Sequence, residues 1–259
     1  MDRSVAEATS NDPMHQFVIN SKVDVPFELF GSPLHFTNSS LWMVLSLVAI
    51  TVFFNMAMSG RALVPGRMQL IAELCYEFIA NMVRDNAGQE GMKFFPFVFS
   101  IFVFVLTANM LGMIPYSFTV TSHIAVTFTL AAFIVGMVLV YGLLKNGLKF
   151  FKLFLPSGVP LVLAPLLIVI EIISFLSRPI SLSVRLFANM LAGHTMLKVF
   201  AGFVVSIGKG GGFMLVFAAV PLIGATALMG LEFLVAFLQA FIFSILTCIY
   251  LNDAIHPGH

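Results

Sequence analysis

The chain has 259 residues, of which 59% are hydrophobic and only 10% are charged, so its apolar surface exceeds what a water-soluble fold of this size buries. Its formal net charge is +1 and it has no dense run of lysine and arginine, which removes the electrostatic reason to expect a nucleic-acid partner. Composition therefore indicates a protein of the lipid bilayer. The two cysteines, Cys75 and Cys248, lie far apart in apolar sequence and suggest neither a disulfide framework nor a metal site.

The chain begins with a polar segment of mixed charge. We expect residues 1–40 to form an N-terminal extramembrane segment and residues 41–259 to form a single membrane domain. The stretch 41–60 contains no charged residue, and its length matches the ~20 residues that one helix needs to cross a hydrocarbon core of about 30 Å. This stretch is predicted to be the first membrane crossing.

The next segment, 61–93, alternates charged and apolar side chains. Its apolar residues recur at helical spacing, at Ile71, Leu74, Cys75, Phe78, Ile79 and Met82. Such a pattern is typical of an amphipathic helix that lies at the membrane interface. An ordinary soluble helical loop explains the same pattern equally well.

No charged residue occurs between Lys93 and Lys145, but Pro115 and a polar run that ends at His123 interrupt the apolar sequence midway. The segment therefore predicts two crossings joined by a tight polar turn. Basic residues flank this pair on the same side of the membrane, at Arg61, Arg67, Arg84, Lys93, Lys145, Lys149 and Lys152. Those connections are expected to face the cytoplasm, or the matrix of a mitochondrion, which places the amino terminus outside.

The C-terminal part is apolar but too long for perpendicular crossings. As one helix, residues 210–252 would extend about 64 Å, roughly twice the membrane core. This segment either folds back at Pro221 and Gly224 or runs strongly tilted. We predict a long, steeply inclined helical hairpin with its turn at 208–212. The predicted fold class is an all-α polytopic membrane protein with vertical N-terminal spans, an interfacial amphipathic helix and this tilted C-terminal hairpin.

Charged residues inside apolar sequence give the strongest functional signal, because each costs about 2.5 to 3.5 kcal/mol at mid-membrane on insertion scales. Glu171, Arg178 and Arg185 follow one another at intervals of seven, so they share a slowly drifting helix face on which Asn189 also lies. Arg178 precedes Pro179, and we interpret it as an arginine that reaches the interface or pairs with Glu171 or Glu232.

Arg185 differs because no acidic residue lies three or four positions from it in either direction. A guanidinium keeps its proton at any physiological pH, so Arg185 is a fixed positive charge and does not relay protons itself. Its counter-charge has to come from elsewhere. The hypothesis is that Arg185 attracts a mobile carboxylate, displaces its proton and blocks leakage between two water-filled cavities.

His194 lies nine residues after Arg185, which places it about 180° around an ideal helix from Arg185. The two side chains should therefore serve different cavities. Paired with Glu232, the one charged residue of 210–252, it could pass protons between water and a partner. A satisfied interior histidine is the alternative for His194 alone. Gln239 follows Glu232 by seven and could hydrogen-bond Arg185 if the two helices pack side by side. These ligands are too few to favour a metal site.

Three segments read SRPISLSVRLFANMLAGH at 177–194, LQAFIFSILTCIYLNDAI at 238–255 and LTANMLGMIPYSFTVTSH at 106–123. They are similar to the ATP synthase subunit a family, and the exchanged order of His194 and Glu232 resembles its mitochondrial and alphaproteobacterial members. The resemblance assigns the essential arginine of the family to Arg185, its nearby amide to Asn189 and the glutamine facing the arginine to Gln239. It places Glu171 at the cytoplasmic half-channel, and His194 and Glu232 at the other, in the order opposite to that of some bacterial members.

The resemblance implies a stationary, non-catalytic proton-channel subunit of an F-type rotary ATP synthase in a bacterial or mitochondrial inner membrane. Its implied partners are the rotating ring of c subunits and the b-type subunits of the peripheral stalk. No cofactor is expected, and the absence of a phosphate-binding glycine loop assigns nucleotide chemistry to other subunits. A secondary transporter with its own substrate site and a non-transporting assembly subunit are the alternative functions.

Overall fold

The computed structural model describes residues 21–29, 32–60, 65–114, 117–147, 150, 164–211 and 214–255. Within these ranges a β-hairpin is followed by a bundle of helices, and five helical segments are long and apolar enough to cross a membrane. The predicted all-α, polytopic membrane architecture is therefore confirmed, with the hairpin as an addition ahead of the bundle.

The hairpin lies in the N-terminal segment and was not predicted. Strands β1 (Ser21–Leu29) and β2 (Ser32–Thr37) pair antiparallel, with Leu29 opposite Ser32. Helix α1 (Asn38–Ser59) begins directly after β2. The Thr37 hydroxyl accepts a hydrogen bond from the backbone N–H of Ser40 at 3.3 Å, which satisfies one of the unpaired donors of the first turn.

Helix α1 presents most of its side chains outward. Its buried residues are small, at Ser39, Ser46 and Ala57, whereas Leu47 and Met56 are more than half exposed. A helix that is apolar on its outer faces is stable against lipid rather than water. The first predicted crossing is therefore present, and it packs on the bundle through a narrow seam against α3 (Phe95–Gly112).

Helix α2 (Arg67–Gly91) occupies the segment predicted to be amphipathic. Ile79 and Val83 in its second half are fully buried, while Ile71 near its start is 54% exposed. The helical backbone is interrupted at Gly88, whose φ of 67° lies in the left-handed region that favours glycine. This kink redirects the chain through a short 3₁₀ turn into α3.

Helices α3 and α4 (Ile124–Asn146) form the two crossings predicted between the flanking lysines. The connection between them contains a 3₁₀ turn, Val120–Ser122, whose three side chains are all buried. The polar turn is therefore folded into the bundle and does not simply lie at its surface. This placement brings hydroxyl groups next to the last two long helices.

The C-terminal hairpin is confirmed. Helix α5 (Ala164–Gly208) has 45 residues and passes Pro179 without ending, so it extends about 68 Å. After the turn and a short helix α6 (Met214–Phe217), α7 (Ala219–Ile255) runs for 37 residues, about 56 Å. Neither length fits a perpendicular crossing of ~30 Å, and α7 does not fold back within its length as the alternative required.

Helix α7 is the centre of the bundle. It packs against α2, α3, α4 and α5, and Ala236, Ala240, Phe243 and Cys248 are completely buried in these contacts. Small residues on α7 allow neighbouring helices to approach closely, which is the usual source of packing energy between membrane helices. The arrangement positions the polar groups of α5 and α7 against one another and against the α3–α4 turn.

Candidate functional site

His194 on α5 and Glu232 on α7 meet at the helix interface. His194 is 9% exposed and Glu232 is 5% exposed, and the His194 Nδ1 atom lies 3.4 Å from Glu232 Oε1. The contact is too poorly aligned to count as a hydrogen bond, and both carboxyl oxygens are buried without a hydrogen-bond partner among the described residues. The two groups that the sequence analysis paired are therefore together, at a distance over which a small movement allows proton exchange.

Gly193 makes room for this pair. A Cβ atom built on Gly193 would lie 2.8 Å from Glu232 Oε1 and 3.1 Å from its Cδ, closer than side chains normally approach. The carboxyl group therefore occupies the space that any other residue at 193 would fill. This role of Gly193 was not predicted from the sequence, where a residue without a side chain directly before His194 was the one indication of it.

Thr119, in the connection between α3 and α4, holds the other side of the imidazole. Its Oγ1 atom lies 3.0 Å from His194 Nε2 and 3.2 Å from the carbonyl oxygen of Gly112. Thr119 is 4% exposed, so this contact is buried. The sequence analysis assigned Thr119 only to a polar turn, because its meeting with His194 depends on how the turn folds into the bundle.

A second buried polar chain fixes the same turn to α7. The Thr121 hydroxyl donates to Asn109 Oδ1 at 2.8 Å, and Asn109 Nδ2 donates to the backbone carbonyl of Ala236 at 3.2 Å. Asn109 is completely buried. These two hydrogen bonds hold α3, the turn and α7 together beside the site. They also satisfy polar groups that would cost free energy if they were buried in lipid without a partner.

Arg185 lies on the opposite side of α5 from the buried core. Leu182, Leu186 and Met190 are at most 1% exposed, while Arg185 and Asn189 project from the outer face of the helix. Among the described residues, no carboxylate forms an ion pair with Arg185. A membrane-spanning helix thus presents a cation and an amide on its outer face, beside exposed apolar residues.

Gln239 is buried in α7, at 4% exposure, and its Oε1 atom has no hydrogen-bond partner among the described residues. The predicted hydrogen bond from Arg185 to Gln239 is not formed in the described part of the chain. The glutamine faces the packed side of α7, whereas the arginine faces outward from α5.

Arg178 has the partners that Arg185 lacks. Its guanidinium lies 3.2 Å from Asp253 Oδ2 and 3.7 Å from Glu171 Oε1, and it also covers the ring of Tyr250 at 4.8 Å. The interpretation of Arg178 as a paired arginine is thereby supported by its contacts. Asp253 pairs with Arg178 and ties the C-terminal end of α7 to α5.

The described residues contain no group of three or more histidine, cysteine or acidic side chains that could hold a metal ion. The site therefore consists of two polar regions along α5: the buried His194–Glu232 pair with Thr119, and the Arg178 cluster with Glu171 and Asp253. Along the sequence of α5, Arg185 lies between Arg178 and His194.

Comparison with known proteins decides the family. Residues 40–252 match the model of the ATP synthase A chain family. The chain belongs to the ATP synthase A chain family. It is 63% identical over 249 residues to the "ATP synthase subunit a" of Rhizobium etli (strain CIAT 652), an alignment that covers 96% of this chain and 99% of the relative.

Two further relatives support the assignment to the ATP synthase A chain family. The "ATP synthase subunit a" of Rhizobium meliloti (strain 1021) is 61% identical over 249 residues, with 96% of this chain and 99% of the relative covered. The protein of the same name from Chelativorans sp. (strain BNC1) is 60% identical over 250 residues, covering 96% of this chain and all of the relative. The resemblance drawn from three sequence segments is therefore confirmed over nearly the whole chain.

Proposed function

We propose that the chain is the stationary proton-channel subunit in the membrane sector of an F-type ATP synthase. Protons enter from the outer side through the His194–Glu232 site, ride on the carboxylates of a rotating ring of c subunits, and leave on the cytoplasmic side near Glu171. Arg185 separates the two paths. The chain itself catalyses no nucleotide chemistry and binds no nucleotide, and the b-type subunits of the peripheral stalk hold it in the bacterial inner membrane with its amino terminus outside.

The observation that carries this proposal is the placement of Arg185. A cation on the outer face of an apolar helix is expensive in lipid unless an anion meets it there. Arg185 forms no ion pair with a carboxylate of the described residues, and we infer that the counter-charge comes from another subunit. A ring of carboxylates that passes this face supplies a succession of anions, each of which loses its proton while it faces the arginine.

The two polar regions give the proton its entrance and its exit. His194 and Glu232 are ionisable, adjacent and buried, whereas Glu171 lies fourteen residues before Arg185 on the same helix. Fourteen residues of helix extend about 21 Å along the axis of α5, so Glu171 and Arg185 are well separated along the helix. Two offset paths with a fixed charge between them force each proton to travel round the ring before it leaves.

The membrane potential supplies the energy for this movement. Each proton that crosses a potential of 100 mV releases about 2.3 kcal/mol, so several protons have to be combined to form one ATP. The energy is captured only if protons do not leak directly between the entrance and the exit. A side chain that never gives up its proton is suited to that barrier.

The experiment that tests the proposal is reconstitution of the chain into liposomes with and without the ring of c subunits. We expect no proton flux and no solute uptake from the chain alone, and proton flux when the ring and the b-type subunits are present. The pH of the liposome interior is followed with an entrapped dye. Solute transport by the isolated chain would favour a secondary transporter. An unchanged proton flux in liposomes that contain the ring and the b-type subunits but lack this chain would favour an assembly subunit.

Gly193 provides a more local test. The substitution Gly193→Ala places a Cβ atom 2.8 Å from Glu232 Oε1, so the carboxyl group has to move away from His194. Because a displacement of about 1 Å can slow a reaction up to a hundredfold, we expect about tenfold slower ATP-driven acidification of inverted membrane vesicles. The matched control is Gly202→Ala on the same helix, where nothing lies within 4 Å of the added atom. Equal rates in the two variants would remove Gly193 from the site.

A further inference from the structure

Thr119 is held rigidly where it meets His194. Its backbone carbonyl accepts a hydrogen bond from the Ser122 hydroxyl at 2.6 Å, and its Cγ2 methyl rests on Gly112, where an added Cβ would come within 2.8 Å. A β-branched side chain has few rotamers to begin with. With its backbone fixed and its methyl group packed against a glycine, Thr119 presents its hydroxyl in one direction.

The hydroxyl has two neighbours but only one hydrogen. Gly112 O lies 3.2 Å away and, as a carbonyl oxygen, can only accept, so the Thr119 hydroxyl donates to it. His194 Nε2 lies 3.0 Å from the same oxygen. Once the hydrogen is directed at Gly112, the lone pairs of Oγ1 face the imidazole, and a hydrogen bond to Nε2 requires that Nε2 carry a hydrogen.

We propose that Thr119 is a positioning residue that sets the tautomer of His194. Neutral His194 keeps its hydrogen on Nε2 and leaves Nδ1, which lies 3.4 Å from Glu232 Oε1, without a hydrogen. This inference rests on the proposed function, because it concerns how the His194–Glu232 pair transfers protons. Nothing in the family assignment itself gives a role to the hydroxyl at position 119.

The tautomer decides which atom exchanges the proton. When Glu232 is protonated, its O–H bond breaks as an N–H bond forms at Nδ1, and the neutral pair becomes an imidazolium beside a carboxylate. The reverse step returns the hydrogen to the carboxyl group and leaves Nε2–H unchanged. With the other tautomer, Nδ1 already carries a hydrogen and cannot accept one from Glu232, so neutral His194 would be unable to take part.

Removal of the Thr119 hydroxyl should therefore slow proton exchange between His194 and Glu232 while the two side chains stay in contact. In Thr119→Val, which is nearly the same size and shape, Nε2 loses its acceptor, and the Nδ1–H tautomer gains by donating to the Glu232 carboxylate. The net value of one hydrogen bond corresponds to a threefold to tenfold change in an equilibrium, so we expect ATP-driven acidification to slow by about that factor. Thr119→Ser retains the hydroxyl and should restore at least half of the wild-type rate.

Thr127→Val is the matched control. Thr127 is also a buried threonine that binds α5, with its hydroxyl 3.0 Å from Ser183 Oγ, but it does not touch His194. We expect this variant to acidify vesicles at the wild-type rate. If Thr127→Val slows acidification as much as Thr119→Val does, loss of any α4-region hydroxyl explains the effect and the proposal is overturned.

The tautomer itself is read by ¹⁵N NMR of the histidine-labelled complex in bilayers, at a pH where the His194 signals are those of neutral imidazole. The His194 signals are identified by their loss in His194→Gln. Wild type should show hydrogen on Nε2 and none on Nδ1, and Thr119→Val should show the reverse. Hydrogen on Nδ1 in wild type overturns the proposal even if Thr119→Val fails to assemble.

The Glu232→Gln variant separates this inference from the proposed function. If Glu232→Gln conducts protons normally, the pair is not in the pathway and both proposals fall. If Glu232→Gln is slow while Thr119→Val keeps the wild-type rate and the wild-type tautomer, the pathway stands and only the role of Thr119 is lost.

Discussion

Replacement of Arg185 by alanine is expected to abolish proton-driven ATP synthesis while the complex still assembles. The side chain projects from the outer face of α5 and, within the described chain, forms no ion pair, so its removal leaves the bundle intact. Two unit charges about 4 Å apart attract each other by roughly 4 kcal/mol at the effective dielectric of a protein near its surface. Loss of that attraction corresponds to roughly a thousandfold in the deprotonation of the facing carboxylate.

The measurement is ATP synthesis in membrane vesicles energised by an imposed proton gradient, with assembly followed by co-purification of the ring. Arg84→Ala is the control, because Arg84 is exposed on α2 and its one described contact is a long hydrogen bond of 3.4 Å to Asn81. It should synthesise ATP at the wild-type rate. Normal synthesis by Arg185→Ala in an assembled complex would contradict the barrier role.

Replacement of Glu232 by glutamine is expected to slow proton entry by about a hundredfold, the lower end of what a positioned proton-transfer group contributes. Glutamine has nearly the same shape and fits the space beside Gly193, but it cannot take up and release a proton. Helix packing around position 232 should therefore survive while exchange with His194 stops. The rate of ATP-driven acidification in inverted vesicles measures the effect.

The control for this variant is Glu73→Gln on α2. Glu73 is exposed and accepts a hydrogen bond from Gln69 Nε2 at 2.7 Å, so its loss removes a carboxylate outside the buried pair. Acidification should then proceed normally. An unaltered rate in Glu232→Gln would exclude Glu232 from the pathway, whatever the outcome at position 73.

The architecture was largely predictable because it depends on lengths and composition. The uncharged stretch 41–60 became α1, and the apolar sequence on both sides of the polar turn became α3 and α4. The turn at 208–212 follows from the excess length of the apolar sequence and from its glycines. Each of these features is local in sequence, so periodicity and residue type are enough to place it.

The contacts of the site were only partly predictable, since they depend on how long helices pack. Spacing along α5 placed His194 and Arg185 on different faces, as observed, but it could not show that Arg178 reaches Asp253, 75 residues away. Nor could it show that Gln239 is buried in the core with no hydrogen-bond partner for its Oε1 atom among the described residues. Thr119 and Gly193 were missed because their importance comes from atoms of other helices, which a single sequence does not bring together.

The central position of α7 also has a consequence for biosynthesis. Asn109 finds its acceptor 127 residues downstream, in a helix that leaves the ribosome well after α3. Until α7 is inserted, the Asn109 amide and the His194 ring lack partners from that helix, and each unsatisfied polar group costs several kcal/mol in lipid. We therefore expect a chain truncated before residue 219 to leave Asn109 Nδ2 without the acceptor that Ala236 supplies.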